Sequence, residues 1–296
     1  MNPYAYCQDK AVRPGSSLYY SLLPLPMAQR RALTVLYAFV REVMEIAEAD
    51  PDAPVTQAKL NWWREEVGRL FEGQAQHPVT QALTPLLNAC PLQAHDFFEI
   101  IEGVAMTLQH PAYPSFRALT LYCHRLGSVP LVLGAQIGGC AEGRALSFAH
   151  ELGVFLLLLR ILRRVRHDVR RGRCYLPQDE MRQFGVAYED LSGARTTEAM
   201  RALFRRQAER MRDLYRRAFA ALPDADRWGQ RHAILLAELA GAVLDEIEAD
   251  GFRVTEHHVA LTPLRKLWLT WRVNRRERRY QRRYRASAEP VPKAPA

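Results

Sequence analysis

The sequence predicts an all-α protein built as one helical domain, and three observations carry that prediction. Leu, Ala, Arg and Glu, all good helix formers, dominate the chain, while the long Val/Ile/Thr alternations of strands are missing. Apolar residues recur at helical spacing along almost the whole length, with Pro and Gly as punctuation. Neither a repeat nor a shift in composition marks an internal boundary in the 296 residues, and a hydrophobic content of 48% is enough to close a substantial core.

Taken in order, Met27 to Asp50 reads as a long helix ended by Pro51, and Pro54 to Phe71 as a second stopped by Gly73. Gln81 to Ala89, Ala94 to Gln109 and Ser115 to Leu126 follow, separated by Pro91 and by the stretch from Pro111 to Pro114. Pro130 to Gly138 and Leu146 to Val169 are more apolar, as expected of central helices buried on most sides. Glu198 to Ala221 and Ala225 to Asp250 complete the body, with Pro223 and Gly251 as breaks. The domain is expected to span residues 1–272, followed by a disordered tail over 273–296 that is basic and then, from Ala286, rich in Pro and Ala.

The formal charge of +9 sits almost wholly at the C-terminal end, where Leu264 to Arg285 holds ten basic residues against one acid, Glu277. Nucleic acid is not the expected partner, because no aromatic-basic recognition motif accompanies the run. Trp268 and Trp271 beside Arg265, Lys266 and Arg272 read instead as an interfacial anchor for an anionic membrane. Five cysteines, odd in number and without a C-x-x-C pair, suggest reduced thiols rather than a disulfide frame or zinc site. The first ten residues lack the apolar stretch of a signal peptide, and the longest fully apolar run, Val154 to Leu159, is short of the ~20 residues that span a bilayer. These features point to a cytoplasmic protein, peripheral at most on the inner face of the membrane.

Several local strings say more than "helical". Gly15-Ser16-Ser17-Leu18-Tyr19-Tyr20-Ser21 precedes Leu36-Tyr37-Ala38-Phe39-Val40-Arg41-Glu42-Val43, and Trp62-Trp63-Arg64 follows. Later come Gly172-Arg173-Cys174-Tyr175-Leu176-Pro177, then Glu246 to Phe252, then Leu264-Arg265-Lys266-Leu267-Trp268. Over about residues 3 to 272 the chain resembles the squalene/phytoene synthase family, most closely its bacterial presqualene diphosphate synthase branch linked to hopanoids. The resemblance implies a bundle of trans-isoprenyl diphosphate synthase type around a deep cavity for prenyl chains. It also implies two acidic motifs facing each other, each with aspartates at i and i+4 that hold Mg²⁺ on the diphosphates.

Both motifs are altered here. In the first, Arg41 to Glu48, the two aspartate positions hold Met44, a poor ligand for a hard cation, and Glu48; Glu45 is acidic as well. In the second, Arg160 to Asp168, the asparagine and first aspartate positions hold Arg160 and Arg164, leaving Asp168 one turn after Arg164 and placed to pair with it. Ala105 and Thr107 stand where the family has an acidic pair, Leu131 where it has glycine, and Leu157 where it has glutamine. The weak metal set is therefore Glu45, Glu48 and Asp168, although Arg41 and Glu45 also read as a surface i,i+4 pair.

Diphosphate binding is assigned to Tyr20, Arg41, Arg163, Arg164, Arg171, Arg173 and Tyr175; Arg163, Arg171 and Arg173 match the family pattern, whereas Arg164, like Arg160 and Arg166, is an extra arginine that could cradle an anion. Tyr20, Tyr37, Tyr122, Trp62 and Trp63 also read simply as core or cavity-wall aromatics, and His167 as an exposed helix residue. Two functions follow. One is a member without catalysis or cofactor, binding a prenyl lipid or prenyl diphosphate and acting with a partner, either an active paralogue or a membrane complex. The other is an active head-to-head prenyl transferase, using Mg²⁺ to condense farnesyl-type diphosphates.

Overall fold

The computed structural model describes residues 2–49, 53–140 and 143–288. Two short helices that the periodicity does not announce open the chain. In α1 (Pro3–Ala11) the Asn2 side chain accepts the Tyr4 N–H, and in α2 (Ser17–Leu22) Ser16 accepts the Tyr19 N–H. The turn between them passes through Gly15 at φ +83°, a left-handed conformation that a side chain would strain. α3 (Met27–Ala49) and α4 (Ala53–Phe71) fall where expected; the Asp50–Pro51 stop lies outside the described residues. α5 (Pro78–Ala89) starts earlier than expected because His77 caps it through Nδ1 and Pro78 pre-sets its first turn. α6 (Ala94–Gln109) matches the sequence reading.

The next helices are less separate than the sequence suggests. α7 (Phe116–Cys123) runs through a π-helical turn, His124–Ser128, directly into α8 (Val129–Ile137). That turn lies against the long central helix α9 (Arg144–Arg170). A Cβ on Gly127 would sit 2.6 Å from the Gly153 carbonyl oxygen, so only glycine allows the two backbones to touch. One departure from all-α is a parallel ladder between β1 (Ala112–Tyr113) and β2 (Cys174–Pro177). β2 follows directly on the Arg171–Arg173 turn and fixes where that turn lies. α10 (Gln178–Gln183), α11 (Tyr188–Ser192) and α12 (Glu198–Ala221) follow. α13 (Arg231–Ala249) begins later than the expected Ala225, and α14 (Pro263–Ala288) closes the described chain.

α9 is, among the described residues, long and apolar enough to cross a membrane by length and composition, yet 67% of its apolar window is buried inside the fold. It is the core helix of the bundle. Phe148, Phe155, Leu152 and Leu162 of α9 pack in one continuous core with residues of α3, α6, α12 and α13. Phe39 of α3, fully buried, meets Trp63 and Phe97 edge-on at centroid distances of 5.5 and 5.1 Å. Trp63 is thus core, as expected, whereas Trp62 is a correction: it is 39% exposed, with the Arg69 guanidinium over its ring. Cys7, Cys90, Cys123 and Cys174 are free thiols.

The expected tail needs correcting too. Residues 273–288 continue α14 as helix; only 289–296, with most of the Pro/Ala-rich end, lie outside the described residues. Val273 and Glu277, one turn apart, are both buried. Glu277 accepts two 2.9 Å hydrogen bonds from Arg227, a bidentate pair that ties α14 to the turn before α13. Replacing Glu277 with Gln leaves Arg227 half-paired and should cost about 3 kcal/mol, read as a lowered midpoint in urea.

His232 in α13 is fully buried, and neither ring nitrogen has a partner. Gly134 makes room for the ring, since a Cβ there would lie 3.2 Å from Nε2. Burial, with the Arg231 charge added, pushes its pKa down to about 3. The unfolded chain binds a proton near pH 6.5 that the folded chain refuses. Stability from this residue is therefore complete above about pH 6.5 and is lost at about 1.4 kcal/mol per pH unit as pH falls toward 3. A His232→Leu variant should show a shallower fall in melting temperature between pH 6.5 and 4 than the parent.

Candidate functional site

The C-terminal half of α3 faces the middle of α9, and helical spacing decides which side chains meet. Positions 157, 161, 160, 164 and 168 share one face of α9. Leu157, Arg160, Ile161, Arg164 and Asp168 accordingly line a recess opposite Met44, Ala47 and Glu48. Val104 and Thr107 of α6, Tyr122 of α7 and Leu126 of the π-helical turn complete its inner wall. Arg171, Arg173 and Tyr175 complete the rim.

The recess is small, at ≈ 40 Å³, where pockets for small molecules run to about 300–1,000 Å³. The space at the centre of the bundle is thus narrow between these side chains. Leu157 and the Tyr122–Tyr175 stack, with centroids 4.9 Å apart, form part of its wall. Tyr122 has its phenol pushed well above 10, first by burial and then by Tyr175. Leu131 and Ala105 are buried in the core. Outward, the recess continues into a groove of ≈ 280 Å³ walled by Ala11, Leu18, Tyr37, Val40 and Met44, with Arg41, Arg160 and Arg164 among its charged residues.

Across the mouth the two altered motifs are joined directly. Glu48 of α3 accepts a short charge-assisted hydrogen bond from Arg160 of α9 and lies 3.5 Å from Arg164. Arg164 is in turn 3.5 Å from Asp168, the i,i+4 pair that the sequence spacing anticipates. His167 is exposed, as expected, and touches Asp168 at 3.1 Å. Arg171 donates to the Glu48 carbonyl at 2.6 Å and Arg173 to the Ala47 carbonyl at 3.0 Å, so both close the C-terminal end of α3. Four guanidinium groups thus line the recess with two carboxylates, Glu48 and Asp168, and Arg160 and Arg164 pair with those carboxylates directly.

Several assigned residues do not join this set. Glu45 turns toward α1, 2.7 Å from both Lys10 and Arg41. Burial alone pushes its carboxyl up, but these two cations outweigh burial and hold it below the usual carboxylate range. Arg163 lies about 100° round α9 from Arg164 and donates to the Val259 carbonyl at 2.9 Å, beside His258 at 2.7 Å. Tyr20 packs in the core edge-on to Tyr19, not on the cleft. Arg41, Arg164, Arg171, Arg173 and Tyr175 do line the recess or its groove. Two residues outside the assigned set belong with them. Arg160 stands one turn before Arg164, a spacing that could have flagged it, and Tyr37 presents a buried phenolic oxygen without a partner on the groove wall.

A Mg²⁺ site does not fit this donor set. Among the described residues no group of three or more His, Cys, Asp or Glu is arranged to hold a metal ion. Glu48 and Asp168 face each other with guanidinium groups between them, where Mg²⁺ needs a near-octahedral shell of oxygens.

The fold and the facing α3 and α9 motifs define a helical bundle of the isoprenoid synthase kind. The squalene/phytoene synthase family model matches residues 11–270. The chain is 30% identical over 259 residues to the chloroplastic phytoene synthase of Narcissus pseudonarcissus, covering 84% of this chain but only 60% of that protein. It is 30% identical over 282 residues to the 15-cis-phytoene synthase of Synechocystis, covering 90% and 83% of the two chains. The fold matches that of the squalene synthase HpnC from Alicyclobacillus acidocaldarius, with a TM-score of 0.74 and 23% identity over 84% of this chain and 94% of that one. It also matches a ligand-bound dehydrosqualene synthase, with a TM-score of 0.77 and 20% identity over 94% and 97%. The chain belongs to the squalene/phytoene synthase family, a family of prenyl transferases that bind prenyl diphosphates.

Rebuilding the carboxylate pairs tests how much of the metal site is lost to these substitutions alone. A Met44→Asp/Glu48→Asp/Arg164→Asp variant should bind Mg²⁺ in the presence of pyrophosphate more tightly than the parent, by titration calorimetry. Arg164→Asp alone should give little, because Met44 still stands opposite.

Proposed function

We propose that this protein binds one prenyl diphosphate, or a related prenyl lipid, without Mg²⁺ and without condensing two of them. The observation that supports this reading most is the bridge from Glu48 to Arg160 and Arg164, which puts fixed guanidinium groups between the facing carboxylates. A diphosphate displaces Glu48 and takes charge-assisted, bidentate hydrogen bonds from Arg160 and Arg164. Arg171 and Arg173 add positive potential from the rim, and the free Tyr37 phenol is a donor on the groove wall. The chain lies outward, along Ala11, Leu18, Val40 and Met44, where the groove of ≈ 280 Å³ offers more room than the inner recess of ≈ 40 Å³. A protein that holds a diphosphate without joining it to another acts through a recipient, an active paralogue or a membrane complex. The free thiols of Cys7, Cys90, Cys123 and Cys174 suit a reducing, cytoplasmic setting. On its motifs we keep it with the presqualene diphosphate branch.

One observation favours the second reading, an active head-to-head transferase: the Narcissus and Synechocystis relatives are both phytoene synthases by name. One set of measurements separates the two. Farnesyl diphosphate should bind in EDTA, with Arg160→Ala and Arg164→Ala each weakening it about tenfold or more. Incubation with farnesyl or geranylgeranyl diphosphate and Mg²⁺ should yield no C30 or C40 product. A condensed product from the parent would establish the transferase reading and end ours.

A further inference from the structure

The chain carries a second surface that the cleft does not use, on the outer side of α14. Leu264, Leu267, Trp268 and Trp271 are 80%, 52%, 51% and 56% exposed. Their spacing of i, i+3, i+4 and i+7 makes them one stripe two turns long. The opposite face of the same helix is fully engaged. Leu269, Thr270 and Val273 are buried, and Lys266 donates to the Gly15 carbonyl at 2.7 Å. The stripe is therefore a face left over after the helix has packed, on an element that the body holds rigidly.

Charge is arranged around the stripe in the same two-sided way. On the body side Arg276 is 2.7 Å from Glu238 and 2.8 Å from Glu277, and Arg227 closes on Glu277. Toward solvent, Arg275, Arg278, Arg279, Arg282 and Arg283 are exposed, and none has an acidic partner among the described residues. The Arg272 guanidinium stacks over Trp268 at 4.6 Å and that of Arg275 over Trp271 at 5.2 Å. These pairs hold cations at the edge of the apolar stripe, where lipid phosphates would meet them.

We infer that this face of α14 is a docking surface for an anionic lipid bilayer. The argument is one of charge and shape together. A stripe of two leucines and two indoles, rimmed by arginine and continued by unpaired arginines along the same helix, has the form of an interfacial helix. Nucleic acid would use the arginines and the indoles but leaves the leucines at 80% and 52% exposure without a partner. A bilayer uses all three, taking the leucines and indoles into the headgroup boundary and the arginines onto phosphates and serine carboxylates. The inference does not rest on the reading of the cleft.

The test uses the full chain and vesicles of phosphatidylcholine with about a third phosphatidylserine. The parent should co-sediment with them, more weakly as salt rises, and scarcely with phosphatidylcholine alone. Leu267→Ser/Trp271→Ser should reduce partitioning about tenfold or more. Arg275→Gln/Arg279→Gln/Arg283→Gln should reduce it about fivefold per arginine at low salt and flatten the salt dependence. All five positions are exposed, so both variants should keep the parent's helical circular dichroism. Brominated lipid should quench parent fluorescence and quench Trp268→Phe/Trp271→Phe much less. Unchanged partitioning of the Leu/Trp variant, equal binding to neutral vesicles, or release from vesicles by stoichiometric single-stranded RNA would each overturn the inference.

Discussion

The contact from Glu48 to Arg160 and Arg164 joins the two helices that carry the altered motifs, and much of the cleft is arranged around it. It draws the C-terminal half of α3 onto the middle of α9 and sets the charge of the mouth. It also leaves Arg171 and Arg173 free to close the end of α3 through the Glu48 and Ala47 carbonyls. Glu48 and its two partners are each about a third exposed, so a pair of this kind contributes about 1 kcal/mol or less. That magnitude matters for function. A bridge so weak is, under the proposed function, one that an anion carrying more charge than one carboxylate can displace.

The substitutions on the two motifs are mutually compensating. Arg164 could have been left facing two carboxylates of the first motif; instead one of those positions is Met44, and Glu48 alone crosses the gap. Glu45, the other acid nearby, is held on the far side by Lys10 and Arg41. Each charge has a partner or reaches solvent, and the recess behind is closed by Leu157 and two stacked tyrosines. The result is a mouth whose two carboxylates are both paired with arginine.

Much of this could be read from residue order. The central helix, the Arg164–Asp168 pair and the long helices follow from periods of 3.6 and spacings of four, which are local properties. What was not legible depends on which helix faces which. Arg163 sits among site arginines in sequence, but about 100° of rotation sends it to Val259 and His258 instead. Glu45 is one turn from Arg41, and only the position of α1 shows that Lys10 claims it. The end of α14 was hidden by composition: ten basic residues mask the two buried positions, Val273 and Glu277, that keep it helical. The recess volume, finally, is a sum over six elements, and no single motif contains it.

Fixed arginines and Mg²⁺ are not equivalent answers to a diphosphate. Both neutralise it, and a guanidinium also stabilises a departing phosphate, so loss of the metal set by itself does not forbid ionisation. A guanidinium, however, is carried on α9 and must share the mouth with whatever forms there. A metal set rebuilt at positions 44, 48 and 164 would restore neutralising power and still meet Leu157, Tyr122 and Tyr175 behind it. Charge at the mouth can be changed by three substitutions, whereas the volume behind it is set by side chains packed together from several elements.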